Sequence, residues 1–120
     1  MSANPFVILY VEDNDLVRES FAELLATADR RVVPVADGAG ARAALREQTV
    51  DMLVTDINLP DGSGLDVARE ALAQNPALPV IVCSGQDVRD VTRTLGPTAH
   101  ALMKPFDLDE LEALVERLAR

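Results

Sequence analysis

The chain has 120 residues, 48% of them hydrophobic, enough for one domain with a substantial core. A formal net charge of −9 argues against direct nucleic-acid binding and against an anionic membrane surface, because both rely on basic patches. No stretch approaches the ~18 consecutive apolar residues of a membrane span, nothing resembles a secretory leader, and the single cysteine, Cys83, excludes an internal disulfide. The expectation is one soluble, cytoplasmic domain over residues 1–120, with no output domain in this chain.

In chain order, the run Phe6-Val-Ile-Leu-Tyr-Val11 reads as a strand that leads straight into Glu12-Asp13. A helix follows, with Val17, Phe21, Leu24, Leu25 and Ala28 as its buried stripe at the 3.6-residue period. A second strand is expected at 31–36, then an Ala- and Arg-rich helix near 39–47 of good propensity but weak apolar stripe. The third strand, 51–55, ends at Asp56 and opens the turn Ile57-Asn-Leu-Pro-Asp-Gly-Ser-Gly64.

A third helix, near 64–74, stops before Asn75-Pro76, and a fourth strand at 79–83 leads into Ser84-Gly85. The stretch 87–99 gives the weakest signal. Asp87 is placed to cap a helix there, which Thr92, Thr94, Gly96 and Pro97 keep short. A fifth strand, 100–103, ends at Lys104-Pro105. The last helix carries Leu108, Leu111, Leu114, Val115 and Leu118 behind Asp107 and Glu110, spaced as in an acidic capping box.

Strand and helix thus alternate five times, and the strands are rich in Val, Ile and Leu on both faces. That pattern specifies an α/β fold, a doubly wound parallel sheet of (βα)5 type. Ligands of such sheets sit beyond the carboxyl ends of the strands. Parallel strands would bring Glu12, Asp13, Asp56, Ser84 and Lys104 to that one edge.

A carboxylate at the end of a buried strand is costly to desolvate unless something nearby needs it. Three together raise the pKa of at least one member or hold a cation. Oxygen ligands without clustered His or Cys favour Mg²⁺ or Mn²⁺ over zinc, and the Asn58 backbone carbonyl lies where it could complete the shell. Lys104 supplies a flexible positive charge for a phosphoryl oxygen, and Ser84 a hydroxyl for another. These parts suit phosphoryl transfer to Asp56 as nucleophile.

Four motifs at four strand ends carry a resemblance: Glu12-Asp13, Asp56 with Leu59-Pro60-Asp61-Gly62-Ser63-Gly64, Ser84, and Lys104-Pro105-Phe106. Each is weak alone, and their joint order is specific. The chain resembles the response-regulator receiver domains of bacterial two-component systems over essentially its whole length. The resemblance implies a flavodoxin-like fold of strand order 2-1-3-4-5 and a phosphoaspartate at Asp56. It implies Mg²⁺ held by Asp13, Asp56 and the Asn58 carbonyl, with Glu12 acting through metal-bound water, and a cis Lys104–Pro105 peptide. It further implies a histidine kinase or histidine phosphotransfer protein as donor, and a downstream protein target or fused output domain. The domain would catalyse its own phosphorylation and dephosphorylation without being an enzyme in the ordinary sense. Pairing as a homodimer through the fourth helix, fifth strand and fifth helix would also fit the family.

The sequence departs from the family three residues before the lysine, where Ala101 replaces the usual Tyr, Phe or His. His100 is its neighbour, but strand alternation points it to the other face. The segment from Ser84 to Lys104 is also a residue or two short. Two other readings remain beside the receiver. One is a pseudo-receiver, a binding module that is not phosphorylated. The other, an Mg²⁺-dependent aspartyl-phosphate phosphatase of the haloacid-dehalogenase type, needs Asp-x-Asp on the first strand and a substrate-capping insertion, which this chain lacks. Taken singly, Asp56, Ser84 and Gly62 are ordinary turn residues, Cys83 a small core residue, and the arginines at 42, 46, 69, 89 and 93 solvated helix faces.

Overall fold

The computed structural model describes residues 5–119, so the ends of the expected 1–120 domain lie outside the described residues. Seven strands and five helices follow one another in order. They are β1 (Phe6–Val11), α1 (Asp15–Leu25), β2 (Arg30–Val35), α2 (Gly38–Glu47) and β3 (Met52–Asp56), then the two-residue strands β4 (Asn58–Leu59) and β5 (Gly62–Ser63). After these come α3 (Gly64–Gln74), β6 (Val80–Ser84), α4 (Arg89–Arg93), β7 (Ala99–Met103) and α5 (Leu108–Leu118).

Five strands form one parallel sheet of order β2-β1-β3-β6-β7, while β4 and β5 make a small antiparallel hairpin. With the hairpin set aside, this is the expected 2-1-3-4-5 order. Side chains divide by parity between two cores. Leu9, Val11, Leu53, Val80 and Val82 face α2 and α3, whereas Ile8, Tyr10, Met52, Val54 and Ile81 face α1 and α5. The three central strands are buried on both faces, which explains their unbroken apolar runs. Each fully buried Leu or Ile contributes about 1.5–3 kcal/mol relative to exposure.

Observed boundaries of the five sheet strands differ from the sequence reading by at most one residue. The clearest correction concerns α1. It ends at Leu25, so Ala28 lies outside it, and Leu24 is 56% exposed rather than buried. Thr27 is the cause: its hydroxyl accepts from the Asp29 and Arg30 amides and turns the chain into β2. Caps fall where short polar side chains precede the helices: Asn14 accepts from the Val17 amide, Asp37 from Gly40, Ser63 from Leu65 and Asp107 from Glu110. The short α4 departs from this pattern. Its N-cap is Val88, and Asp87 instead accepts from the Arg89 amide and ion-pairs its guanidinium.

Candidate functional site

Register puts the chemistry in one place. Val11 pairs with Thr55, so Glu12 emerges beside Asp56; Asp56 pairs with Cys83, and Ser84 with Met103, just before Lys104. The Lys104 amide donates to the Ser84 carbonyl at 2.7 Å, locking the ends of β6 and β7 together. The Lys104–Pro105 peptide is cis. All five candidates, Glu12, Asp13, Asp56, Ser84 and Lys104, therefore meet at the carboxyl edge of the sheet.

Ligand atoms of Glu12, Asp13 and Asp56 lie within 4.8 Å of one another. Glu12 and Asp56 are buried, at 4% and 7% exposure, while Asp13 faces solvent. Glu12 is held from three sides. Its Oε2 accepts from the Asn14 amide at 3.0 Å, its carbonyl accepts from Arg18 at 2.9 Å, and its amide donates to Val35. Lys104 Nζ sits 2.8 Å from Asp56 Oδ1 and 3.5 Å from Glu12 Oε1. Three carboxylates thus share one ammonium, an excess of negative charge that a divalent cation would neutralise.

Burial pushes the Asp56 carboxyl up to about 6, with the hydrogen bond from Lys104 opposing the rise and the Glu12 charge adding to it. Burial draws the Lys104 ammonium down, but the hydrogen bond and charge of Asp56 outweigh it and the net shift is upward. Lys104 is charged at neutral pH.

A cleft of about 240 Å³ opens over this cluster, with Asp13, Asp56, Asn58, Cys83, Ser84 and Lys104 on its walls. Ser84 is buried, and its Oγ accepts from the Gln86 amide at 3.1 Å, leaving the hydroxyl proton for another acceptor. Burial, with the Asp56 charge, pushes the Cys83 thiol up to about 12, so it stays protonated beside the acids. His100, on the face of β7 opposite Ala101, is not part of the cleft; it lines a separate groove.

Several supports of the site are not legible in the sequence. Gly64 is one: a Cβ there would fall 1.9 Å from the Asp56 carbonyl oxygen, because the start of α3 presses against the end of β3. Its amide donates to the Ile57 carbonyl at 2.8 Å. Gly62, at φ +150°, makes the turn of the hairpin that carries Asn58. Asp61 reaches across to accept from the Gly38 and Ala39 amides at 2.8 and 2.9 Å, so it caps α2 and pins the hairpin beside the cleft. Arg42 is not simply solvated either; its guanidinium engages both oxygens of Glu70 and ties α2 to α3.

A doubly wound sheet with an acidic trio and a lysine at its carboxyl edge defines a class, and known proteins of that class match this chain. The response regulator receiver domain family model matches residues 8–116, and the chain belongs to that family. Its members are phosphoacceptor signalling modules of two-component systems rather than enzymes in the ordinary sense. Among curated relatives, the response regulator protein PmrA of Pseudomonas aeruginosa is 39% identical over 116 residues, covering 94% of this chain and 52% of PmrA. The chain thus spans about half the length of that relative. A response regulator receiver protein from Sinorhizobium medicae superposes with a TM-score of 0.86 at 28% identity, covering 98% of this chain and 97% of that one. The response regulator protein TrrA from Thermotoga maritima, solved in complex with Mg(2+)-BeF, has a TM-score of 0.81 at 26% identity, with 94% and 98% covered.

Proposed function

We propose that this chain is a single receiver module that accepts a phosphoryl group on Asp56 from a phosphohistidine of a sensor histidine kinase or phosphotransfer protein. The observation that carries the reading is the ammonium of Lys104 held between Asp56 and Glu12 at the mouth of the cleft. One Asp56 carboxylate oxygen attacks phosphorus; a bond from that oxygen to phosphorus forms as the bond from phosphorus to the imidazole nitrogen breaks. Water then attacks phosphorus, and its oxygen–phosphorus bond forms as the bond from the Asp56 oxygen to phosphorus breaks, returning the free carboxylate and inorganic phosphate.

The donor set fits a hard divalent cation, since it is all oxygen and carries two more negative charges than Lys104 balances. Asp13, Asp56 and the Asn58 carbonyl would hold Mg²⁺, or Mn²⁺ in its place, with Glu12 reaching it through water. When bound, the ion supplies positive charge against the transferring oxygens. The complex of TrrA with Mg(2+)-BeF supports the same choice for this chain. Lys104 moves from Asp56 to a phosphoryl oxygen, and the Ser84 hydroxyl donates to another. Burial of Asp56 and Glu12 keeps these charges poorly screened and their interactions strong.

Phosphorylation then alters contacts with a downstream protein or a fused output domain, and the setting is the cytoplasm. Among the described residues no helix is long and apolar enough to cross a membrane. Incubation with Mg²⁺ and acetyl phosphate, followed by intact-mass measurement, tests the reading. One phosphate adduct that disappears with chelator and in Asp56→Asn is expected. An unmodified mass would favour a binding module that is not phosphorylated, and steady release of phosphate from a free metabolite would favour a phosphatase.

A further inference from the structure

The β4–β5 hairpin is too small to hold its shape alone. Each strand has two residues and both lie outside the five-stranded sheet, yet the hairpin carries Asn58, whose carbonyl the cation reading needs. Its base is fixed at both flanks. The Ile57 amide donates to the Cys83 carbonyl at 3.0 Å, and the Gly64 amide to the Ile57 carbonyl at 2.8 Å. Leu59 packs into the core on the side of α2 and α3, while Asn58, Pro60, Asp61 and Gly62 are exposed.

One side chain holds the tip. Asp61 Oδ1 accepts from the Gly38 amide at 2.8 Å, and Oδ2 from the Ala39 amide at 2.9 Å. Among the described residues, these are the only hydrogen bonds that tie residues 58–62 to an element remote in the chain. Both oxygens face the first turn of α2, where free amides favour negative charge. Gly38 leaves room for them, since a Cβ there would lie 3.1 Å from Oδ1. One turn further on, Arg42 is bonded to Glu70 of α3, and α3 begins at Gly64, pressed against Asp56. Hairpin, α2 and α3 thus form a closed brace around the end of β3.

With both oxygens taken by amides, and lying outside the acidic trio, Asp61 is not itself a ligand. We propose that Asp61 is a positioning residue of the cation site, which by gripping the start of α2 holds the Asn58 carbonyl in place beside Asp13 and Asp56. The proposal rests on the reading of the cleft as a divalent-cation site. Coupling of this kind is reciprocal, so occupancy of the cleft also steadies the start of α2.

The test is calorimetric titration of the full chain with Mg²⁺ in low and high salt, with amide exchange followed by NMR. Asp61→Ala should weaken Mg²⁺ binding roughly fivefold in either salt, and Asp61→Asn, which keeps an accepting oxygen, should recover part of the loss. Asp37→Ala is the control, because it removes an equal charge and the cap on Gly40 from the same end of α2. Its Mg²⁺ affinity should stay near that of the parent. In the parent, Mg²⁺ should slow exchange at Gly38 and Ala39, and in Asp61→Ala it should not. Should Asp61→Ala not fold, the exchange pattern of the unmutated chain decides. Equal weakening by Asp37→Ala would reduce Asp61 to a charge or a helix cap and overturn the proposal. Affinity unmoved by Asp61→Ala, or amides at 38 and 39 indifferent to Mg²⁺ in a chain that binds it, would overturn it too. A parent chain that binds no Mg²⁺ would overturn the cation reading itself, and this proposal with it.

Discussion

Lys104 Nζ lies 2.8 Å from Asp56 Oδ1, so the nucleophile and the cation that would contact a phosphoryl oxygen already touch. The contact gives Lys104→Ala two opposite effects. The acidic trio loses the one ammonium paired with it among the described residues, so Mg²⁺ binding should tighten as the site becomes more negative. Phosphorylation should nevertheless slow, because the transferring oxygens lose a fixed positive charge. Calorimetric titration with Mg²⁺ and a timed mass assay with acetyl phosphate separate these effects. Weaker Mg²⁺ binding, or unchanged phosphorylation, would contradict this role for Lys104.

Asp56 should make the metal-free protein less stable as pH rises. Its folded carboxyl is pushed up to about 6 by burial, against an ordinary value of 3.8. Between those values the folded chain holds a proton that the unfolded chain has released, so stability falls with rising pH across that window. Above it the ionised carboxylate costs on the order of 1–2 kcal/mol, allowing for solvent in the cleft. Asp56→Asn should therefore unfold at higher urea than the parent at pH 7.5, with the gap closing near pH 4, both measured in chelator.

Gly64 and Gly85 should respond oppositely to alanine. At Gly64 the new methyl would sit 1.9 Å from the Asp56 carbonyl oxygen and 2.9 Å from Thr55 Oγ1, so backbone must move at a cost of about 3 kcal/mol. At Gly85 a Cβ meets nothing within 4 Å, and the change should stay within about 0.5 kcal/mol. Urea denaturation distinguishes them, and Gly64→Ala should also lose phosphorylation because the shift reaches Asp56.

Asp61→Ala should loosen the hairpin rather than the core. The carboxylate accepts from the Gly38 and Ala39 amides, and those bonds hold its pKa below the usual value. A depressed folded pKa means the stabilisation is present above the ordinary 3.8 and is lost as pH falls through the folded value. The parent should then exceed Asp61→Ala in stability at neutral pH, with the difference vanishing in acid. Faster amide exchange at Gly38 and Ala39 is the local readout.

The site is largely legible in the sequence because its parts are the last residues of apolar runs. Once β1, β3, β6 and β7 are parallel, Glu12, Asp56, Ser84 and Lys104 must share an edge, and no long-range contact needs to be guessed. What stays hidden depends on contacts between segments far apart in the chain. Asp61 caps a helix that begins 23 residues earlier, and no local pattern marks such a partner. Gly64 reads as a turn former, since only the approach of α3 to Asp56 reveals why a Cβ is excluded. The end of α1 is displaced because Ala28 continues the 3.6-residue stripe, while the Thr27 hydroxyl, bonding to the Asp29 and Arg30 amides, redirects the backbone.

The phosphoryl acceptor is tested most directly by trapping it. After reaction with Mg²⁺ and acetyl phosphate, borohydride reduces an aspartyl phosphate to homoserine, and peptide sequencing locates the change. Homoserine at position 56 alone, absent when Mg²⁺ is chelated, is the result expected. Homoserine at Asp13 or elsewhere, or none at all from a folded chain, would contradict Asp56 as the residue that takes the phosphate.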